Sequence, residues 1–182
     1  MDFQSQADFA ERWFALRVKS RCEQVVATMA RNKGFEEYVP WIQSRRRWSD
    51  RMKVVQLPMF PGYVFCRLNP QYRLHLLTIP GALHFVGNGK IPTPIEDTEI
   101  AAIQTTSRSG LVTESWPFLE VGQQIRIHDG PLAGLQGILV RTSTQQRLIL
   151  SVTLLKQSVA VAIERHWATP LDFTPNGERL PC

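Results

Sequence analysis

The sequence predicts two domains of different fold class: an α+β domain of the ferredoxin-like type, followed by a small all-β barrel. The first 106 residues alternate between strand-like segments of period two and amphipathic segments of period 3.6, whereas period two prevails from residue 119 onward. Residues 107–118 between them contain Ser, Gly and Pro without either period, which is typical of a linker.

The first domain is predicted to span residues 12–106. Trp13–Lys19 alternates and predicts a strand. Ser20 and Glu23 have the spacing of a capping box for a helix that Gly34 ends. The later segments are strands over Glu36–Trp48, Met52–Leu57 and Tyr63–Arg67, a short helix from Pro70, a strand over Gly81–Gly87 and a helix over Pro94–Gln104. The order strand-helix-strand-strand-helix-strand is that of a ferredoxin-like sandwich.

The second domain is predicted to span residues 119–171, in which apolar residues alternate with small or polar ones. The alternating positions are Ile125 and Ile127, Ile138 and Val140, Leu148, Leu150 and Val152, and Val159, Val161 and Ile163. Four or five short strands within about fifty residues indicate a small β-barrel. Residues 1–11 and 172–182 are expected to be disordered tails.

Composition and charge favour a soluble, cytoplasmic protein with an anionic partner. Hydrophobic residues make up 43% and charged residues 20% of the chain, and the formal net charge is +5. Three widely separated cysteines indicate reduced thiols. We find no signal peptide, no membrane-spanning run, no metal-ligand spacing and no acid-base or nucleophile set. We therefore expect a monomer that is not an enzyme, with no catalytic residues, cofactor or metal.

The stretch "LPMFPGYVFCRL" (Leu57–Leu68) interrupts a strand-like composition with proline and glycine. Proline cannot donate to a strand ladder, so Pro61-Gly62 predicts a turn that leads into a strand at Tyr63. Alternation then gives Tyr63 and Phe65 a common face, where Phe60 could complete an aromatic patch. The alternative is that these rings pack inside the protein, and the spacing alone favours it because buried aromatics are more common.

The stretch "SRRRWSDRMK" concentrates positive charge at a predicted strand connection. Its cations are Arg45, Arg46, Arg47, Arg51 and Lys53. Guanidinium groups at a hairpin tip can bind phosphates, and Trp48 could stack on a base. A charged edge that prevents aggregation is the alternative, but the net charge of the chain favours phosphate contact.

These motifs, in this order, resemble the NusG family of transcription elongation factors. "WFALRVKSRCEQ", "LPMFPGYVFCRL" and "IPGALHFVG" are similar to its N-terminal (NGN) domain. "VGQQIRIHDGPLAGLQGILV" and "LILSVTLLKQSVAVAI" are similar to its C-terminal KOW domain, an SH3-like barrel. The resemblance extends over nearly all of Trp13–Leu171.

The resemblance implies a binding protein that suppresses pausing or termination. The NGN domain of this family binds the clamp helices of the largest catalytic subunit of RNA polymerase through a hydrophobic pocket. The matching residues here are Phe60, Pro61, Gly62, Tyr63 and Phe65, and Trp13 and Ile100 are expected to be their neighbours in the binding site. The family lies beside upstream or non-template DNA, which would suit the arginine stretch together with Lys19 and Arg21.

The second domain departs from the family pattern in its partner loop, which here is Leu154, Leu155, Lys156 and Gln157. General members have an aromatic anchor and a cation there, which engage Rho or a ribosomal protein. Without the aromatic anchor we expect little or no Rho binding, and a ribosomal protein stays an open alternative. The chain thus resembles specialised paralogues such as RfaH, UpxY and LoaP, which act on particular long operons. Its β-branched Val152–Ile163 predicts a constitutive barrel.

Two other functions are compatible with the same motifs. A general factor that couples transcription to termination or translation would share the fold. A KOW-containing ribosomal or RNA-binding protein would explain the charge but not the Phe-Pro-Gly-Tyr stretch. The target operon and the partner of the KOW domain are not encoded in any motif.

Overall fold

The computed structural model describes residues 10–48, 51–88, 91–111, 113–116, 122–141, 146–152 and 155–171, some of them by their backbone alone. The chain forms two compact units. The first consists of Met1–Trp41 and Pro58–Ile100, and the second of Ile42–Leu57 and Ala101–Cys182. The predicted domain ranges stay predictions, and the predicted tails lie almost entirely outside the described residues.

The first unit contains one four-stranded antiparallel sheet with two helices. Its elements are β1 (Arg12–Val18), α1 (Glu23–Asn32), β2 (Glu36–Tyr38), β5 (Tyr63–Leu68), a 3-10 turn (Pro70–Tyr72), α2 (Arg73–Leu77), β6 (Ala82–Phe85) and a small pair of strands, β7 (Gly87–Asn88) and β8 (Ile91–Pro92). The sheet order β2-β5-β1-β6 interleaves two strand-helix-strand units. This confirms the predicted ferredoxin-like fold.

One face of this sheet carries the main core of the first unit. Alternate residues of β1 and β5 pack with apolar residues of α1 and α2. The buried members are Phe14, Leu16, Val18, Val26, Ala27, Ala30, Val39, Val64, Cys66, Leu68, Leu76, Ile79 and Phe85. The intervening residues of β1 and β5 therefore belong to the opposite face.

The long strand predicted over Glu36–Trp48 is two strands, β2 and β3 (Trp41–Trp48). The break falls at Val39-Pro40, because proline has no N–H for a ladder. The carbonyl of Pro40 accepts a hydrogen bond from Met59 N–H at 2.8 Å. A second irregularity is the bulge between β1 and β6, where Leu83 is the extra residue between the pairs Arg17–His84 and Val18–Ala82.

The sequence predicted a signal at each end of α1, and only the one at the C-terminal end is confirmed. Gly34 ends the helix as predicted, with φ +86°. Its N–H donates to Arg31 O, and Phe35 N–H donates to Ala30 O, which together form a Schellman motif. The predicted capping box at Ser20 is wrong, because α1 begins after Cys22 and no side chain caps it.

The second unit contains a six-stranded antiparallel sheet of order β14-β10-β11-β12-β13-β9. Its strands are β9 (Thr113–Trp116), β10 (Gln123–Ile127), β11 (Gln136–Arg141), β12 (Gln146–Val152), β13 (Gln157–Ile163) and β14 (Ala168–Pro170). Most of the apolar positions predicted from the alternation are buried; they include Ile125, Ile127, Leu148, Leu150, Val159, Val161 and Ile163. This six-stranded sheet confirms the predicted β-rich fold of the second domain.

Two further segments belong at least partly to the second unit. The hairpin strands β3 and β4 (Arg51–Pro58) pair with each other, and most of their length belongs here. Helix α3 (Asp97–Arg108) continues from the first unit into the second. The predicted linker 107–118 thus contains the end of α3 and the whole of β9, which pairs with β13 from Thr113 opposite Val161. Pairing with a distant strand, which no local pattern reveals, gives this segment its structure.

Candidate functional site

The candidate site lies on the face of the first sheet opposite to its helices, at the end where β5 begins. Ala15 pairs with Phe65 and Arg17 with Tyr63 across β1 and β5. Because side chains alternate along a strand, Arg17, Tyr63 and Phe65 share this face. The Phe-Pro-Gly-Tyr stretch leads directly into it.

Phe60–Tyr63 forms a tight turn, which we call the docking turn. Tyr63 N–H donates to Phe60 O at 3.3 Å, and Gly62 has φ +82°. Proline at the second position and glycine with positive φ at the third are the requirements of a type II turn. This explains why the strand is preceded by proline and glycine.

Five of the seven residues predicted to bind a partner are buried, and Gly62 of the turn is one of them. Phe65 is 0% exposed, Phe60 and Ile100 are each 2% exposed and Trp13 is 6% exposed. The rings of Phe60 and Phe65 pack edge to face, with centroids 5.9 Å apart. The predicted exposed patch of three rings is therefore wrong, because two of the rings have each other as packing partners. Tyr63 is the ring that stays half-exposed, beside the exposed Pro61.

Arg17 covers the docking turn and was not predicted as a site residue. Its guanidinium carbon lies 4.6 Å from the centroid of the Tyr63 ring, a cation–π geometry. Its Nη1 atom donates to Pro61 O at 3.5 Å. A Cβ atom on Gly62 would lie 2.8 Å from the same Nη1 atom. Glycine at position 62 thus permits both the positive φ and the position of Arg17.

The peptide groups of Gly62 are held from both sides. Gly62 N–H donates to Oε1 of Glu23 at 2.7 Å, and Gly62 O accepts from Val18 N–H at 2.9 Å. Glu23 is the first residue of α1 and is 4% exposed. The glutamate that the sequence assigned to a capping box therefore binds the docking turn instead.

The cations beside the docking turn are exposed. Lys19 and Arg21 lie in the connection between β1 and α1, and Arg21 has φ +68°. His84, opposite Arg17 in β6, is exposed as well. Of these side chains and Arg17, Arg17 is the one with a recorded contact to the Tyr63 ring.

The arginine stretch is described by its backbone alone. Arg45, Arg46 and Arg47 lie on β3, and Arg51 and Lys53 lie on β4. Their side chains, and residues 49–50 between the strands, lie outside what the structure describes. Phosphate contact by these residues stays a prediction.

The predicted partner loop of the second unit connects β12 to β13. Leu155 is 8% exposed, Lys156 is exposed with φ +50°, and Gln157 begins β13 opposite Val152. Leu154 lies outside the described residues. The apolar side chain described in this loop is therefore turned into the unit.

The described residues offer little for catalysis. In those parts of the chain, no group of three His, Cys, Asp or Glu side chains could hold a metal ion. Burial, and secondarily the Glu37 carboxylate, raises the pKa of the Cys66 thiol far above its ordinary value. A protonated thiol is a poor nucleophile. No helix among these residues has the length and apolar composition needed to cross a bilayer.

The fold and site define a two-unit protein whose candidate surface offers stacking, hydrogen bonding and positive charge. Comparison with known proteins identifies the family. Residues 11–104, more than half of the chain, match the family described as "Transcription termination factor nusG". The chain belongs to the NusG family. Membership assigns it to transcription factors rather than enzymes.

Individual relatives agree with this assignment. A NusG of Buchnera aphidicola, named a transcription termination/antitermination protein, is 29% identical over 174 residues, covering 85% of this chain and 93% of the relative. A NusG of Helicobacter pylori J99 is 25% identical over 116 residues, and the match spans 62% of this chain and 66% of that protein. A solved structure of Thermotoga maritima NusG covers 88% of this chain and 97% of its own, with TM-score 0.54 and 21% identity. The structural match supports the fold.

Proposed function

We propose that this chain is a transcription elongation and antitermination factor that binds the clamp helices of the largest RNA polymerase subunit through its docking turn. The observation that carries the proposal is the stacked pair of Arg17 and Tyr63 on a turn whose central peptide is hydrogen-bonded on both sides. Such a partner would put the protein in the cytoplasm.

The docking turn has the properties of an interface hot spot. Tyrosine and arginine are enriched at hot spots because they combine large contact area with specific polar contacts. Phe60 and Phe65 are buried and pack edge to face, so their proposed part is to support the turn and the start of β5 rather than to contact the partner. Preorganisation lowers the entropy lost on binding. The exposed Lys19 and Arg21 favour a partner helix that carries carboxylates.

Polymerase binding by Tyr63 can be tested by substitution with a matched control. Tyr63→Ala and Arg17→Ala should each weaken binding to purified RNA polymerase by about tenfold or more, since removing a hot-spot side chain costs about 2 kcal/mol or more. Tyr72→Ala is the control, because Tyr72 is 53% exposed in the same unit and its recorded ring contact is with His75 of α2 rather than with the turn. Wild-type affinity of Tyr63→Ala, measured by equilibrium titration, would contradict the proposal.

The arginine stretch is proposed to contact upstream or non-template DNA. Each phosphate neutralised by a cation adds about 0.9 to the slope of log affinity against log salt concentration. Arg46→Glu with Arg47→Glu should therefore reduce that slope by about two. Arg108→Glu, at an exposed arginine at the end of α3, is a charge-reversal control outside the stretch. An unchanged slope in the double variant would exclude these two arginines.

The partner loop of the second unit bears on which of two roles in transcription the protein has. A specialised factor that does not use Rho is favoured by the partner loop, in which Leu155 is buried and no aromatic residue stands at positions 154–157. A general termination factor is the second candidate, favoured by relatives that are general NusG proteins. Single-round transcription through pause sites and terminators decides between them. Read-through that is insensitive to Rho supports the first role, and earlier release in the presence of Rho supports the second.

A further inference from the structure

We infer that Glu23 is a positioning residue: its buried carboxylate fixes the docking turn, and thereby the positions of Tyr63 and Arg17. The effect on binding rests on the proposed function, but the effect on the turn does not. Glu23 belongs to α1, whereas the turn precedes β5, so the contact joins parts of the chain 39 residues apart.

The burial of Glu23 needs an explanation. A carboxylate that is 4% exposed has lost most of its hydration, and such a group is retained only where hydrogen bonds compensate. Among the described residues, the hydrogen bond recorded for this carboxylate comes from Gly62 N–H, at 2.7 Å. Bonds from an amide to a charged acceptor are among the stronger ones in proteins. The carboxylate therefore has a specific target in the turn.

The geometry connects this bond to the exposed pair. Gly62 N–H is held by Glu23 and Gly62 O by Val18 N–H, so the central residue of the turn is held at both its N–H and its carbonyl. Tyr63 is the next residue, and Arg17 precedes Val18. A rotation of the turn would therefore move Tyr63 relative to Arg17, whose Nη1 also contacts Pro61 O.

Glu23 could instead act only as an acidic residue at the start of a helix, where negative charge is favourable. The two roles make opposite predictions for conservative substitutions. Glu23→Gln keeps the length and the acceptor oxygen but removes the charge. Glu23→Asp keeps the charge but is one methylene too short to reach Gly62. Positioning predicts that glutamine is tolerated and aspartate is not, whereas a helix-start role predicts the reverse.

The experiment uses the full chain with two measurements, amide hydrogen exchange at Gly62 by NMR and affinity for purified RNA polymerase. In Glu23→Gln both should stay within about fivefold of wild type, because the amide oxygen keeps the hydrogen bond with a neutral, weaker acceptor. In Glu23→Asp, Gly62 exchange should be about thirtyfold faster and affinity about thirtyfold weaker, the effect of losing a hydrogen bond to a charged group. Gln24→Ala, an exposed neighbour in α1, is the control and should change neither.

The outcomes separate the inference from the proposed function. Faster Gly62 exchange in Glu23→Gln than in Glu23→Asp, or wild-type exchange in both, overturns the inference. A second outcome is that Gly62 exchange follows the expected order but polymerase affinity is unchanged even in Tyr63→Ala. That outcome supports the positioning role and refutes the proposed function. If circular dichroism shows that Glu23→Asp does not fold, Glu23→Gln alone decides: retained protection of Gly62 supports the inference, and lost protection overturns it.

Discussion

The docking turn of the first unit and the partner loop of the second are both short connections that lead into a strand of an antiparallel sheet. Each contains a residue with positive φ, Gly62 in one and Lys156 in the other. In the docking turn a buried glutamate binds the backbone, and an arginine and a tyrosine remain at the surface. In the partner loop the described leucine is buried and the strained residue is an exposed lysine.

The difference teaches how one chain can specialise two similar connections. A glycine in the left-handed region releases the backbone from strain and leaves room for a neighbouring side chain. A lysine in the same region of φ keeps the backbone strain and adds a long side chain to the loop. The docking turn is therefore the connection for which we propose a specific protein contact, whereas the apolar side chain described in the partner loop, Leu155, is buried.

The largest expected effect concerns Phe65, the buried ring that packs against Phe60 of the docking turn. Phe65→Ala should lower the free energy of unfolding by about 3–5 kcal/mol, because it removes a fully buried ring and leaves a cavity. Urea denaturation measures this loss. Leu155→Ala is the counterpart in the second unit and should cost about 2–3 kcal/mol. A loss below about 1 kcal/mol for Phe65→Ala would mean that the ring is not part of the core, and the contrast between buried support and exposed Tyr63 would fail.

An intermediate effect is expected at Gly62, with Gly34 as its matched control. Both glycines have φ near +85°, but a Cβ atom would contact Arg17 at Gly62 and nothing within 4 Å at Gly34. Each alanine substitution should cost about 1–2 kcal/mol of stability from backbone strain. Only Gly62→Ala should also weaken polymerase binding, since it displaces Arg17 from Tyr63. Equal affinities of the two variants would show that the position of Arg17 is irrelevant to docking.

The smallest effect is expected at Lys156, where φ is +50°. Lys156→Gly should be about 1 kcal/mol more stable than Lys156→Ala, because alanine keeps the unfavourable positive φ and glycine removes it. Comparing these two variants with each other cancels the loss of the lysine side chain. Thermal unfolding measures the difference. If alanine proves as stable as glycine, the partner loop is not strained and the contrast with the docking turn weakens.

The fold class was predictable because its signals are local. Two of these signals depend on neighbouring residues alone. One is the alternation in β1, β5 and the strands of the second unit, and the other is the left-handed Gly34 after α1. Strand β9 was missed since its order comes from pairing with β13, more than forty residues away. The break at Pro40 was visible as a proline, but the strong strand composition around it concealed its effect.

The candidate site was predictable in position but not in its contacts. The Phe-Pro-Gly-Tyr stretch indicated a turn that leads into β5, and this is confirmed. Which rings are exposed depends on the packing of Phe60 against Phe65, which spacing cannot decide. The role of Glu23 was hidden because Ser20 offered a local explanation for the same residue. Arg17 had one usable signal, its position between the apolar residues Leu16 and Val18 of β1.

The bulge at Leu83 has a consequence for solubility. Strand β6 is an edge of its sheet, and an edge strand with an exposed apolar residue can pair with the edge of another molecule and seed aggregation. Leu83 is 47% exposed there. Because the bulge shifts the register beside Leu83, this edge cannot offer the regular row of amide and carbonyl groups that an incoming strand requires. The irregular edge is therefore a poor template for a strand of a second molecule, and its neighbouring strand β1 carries Arg17.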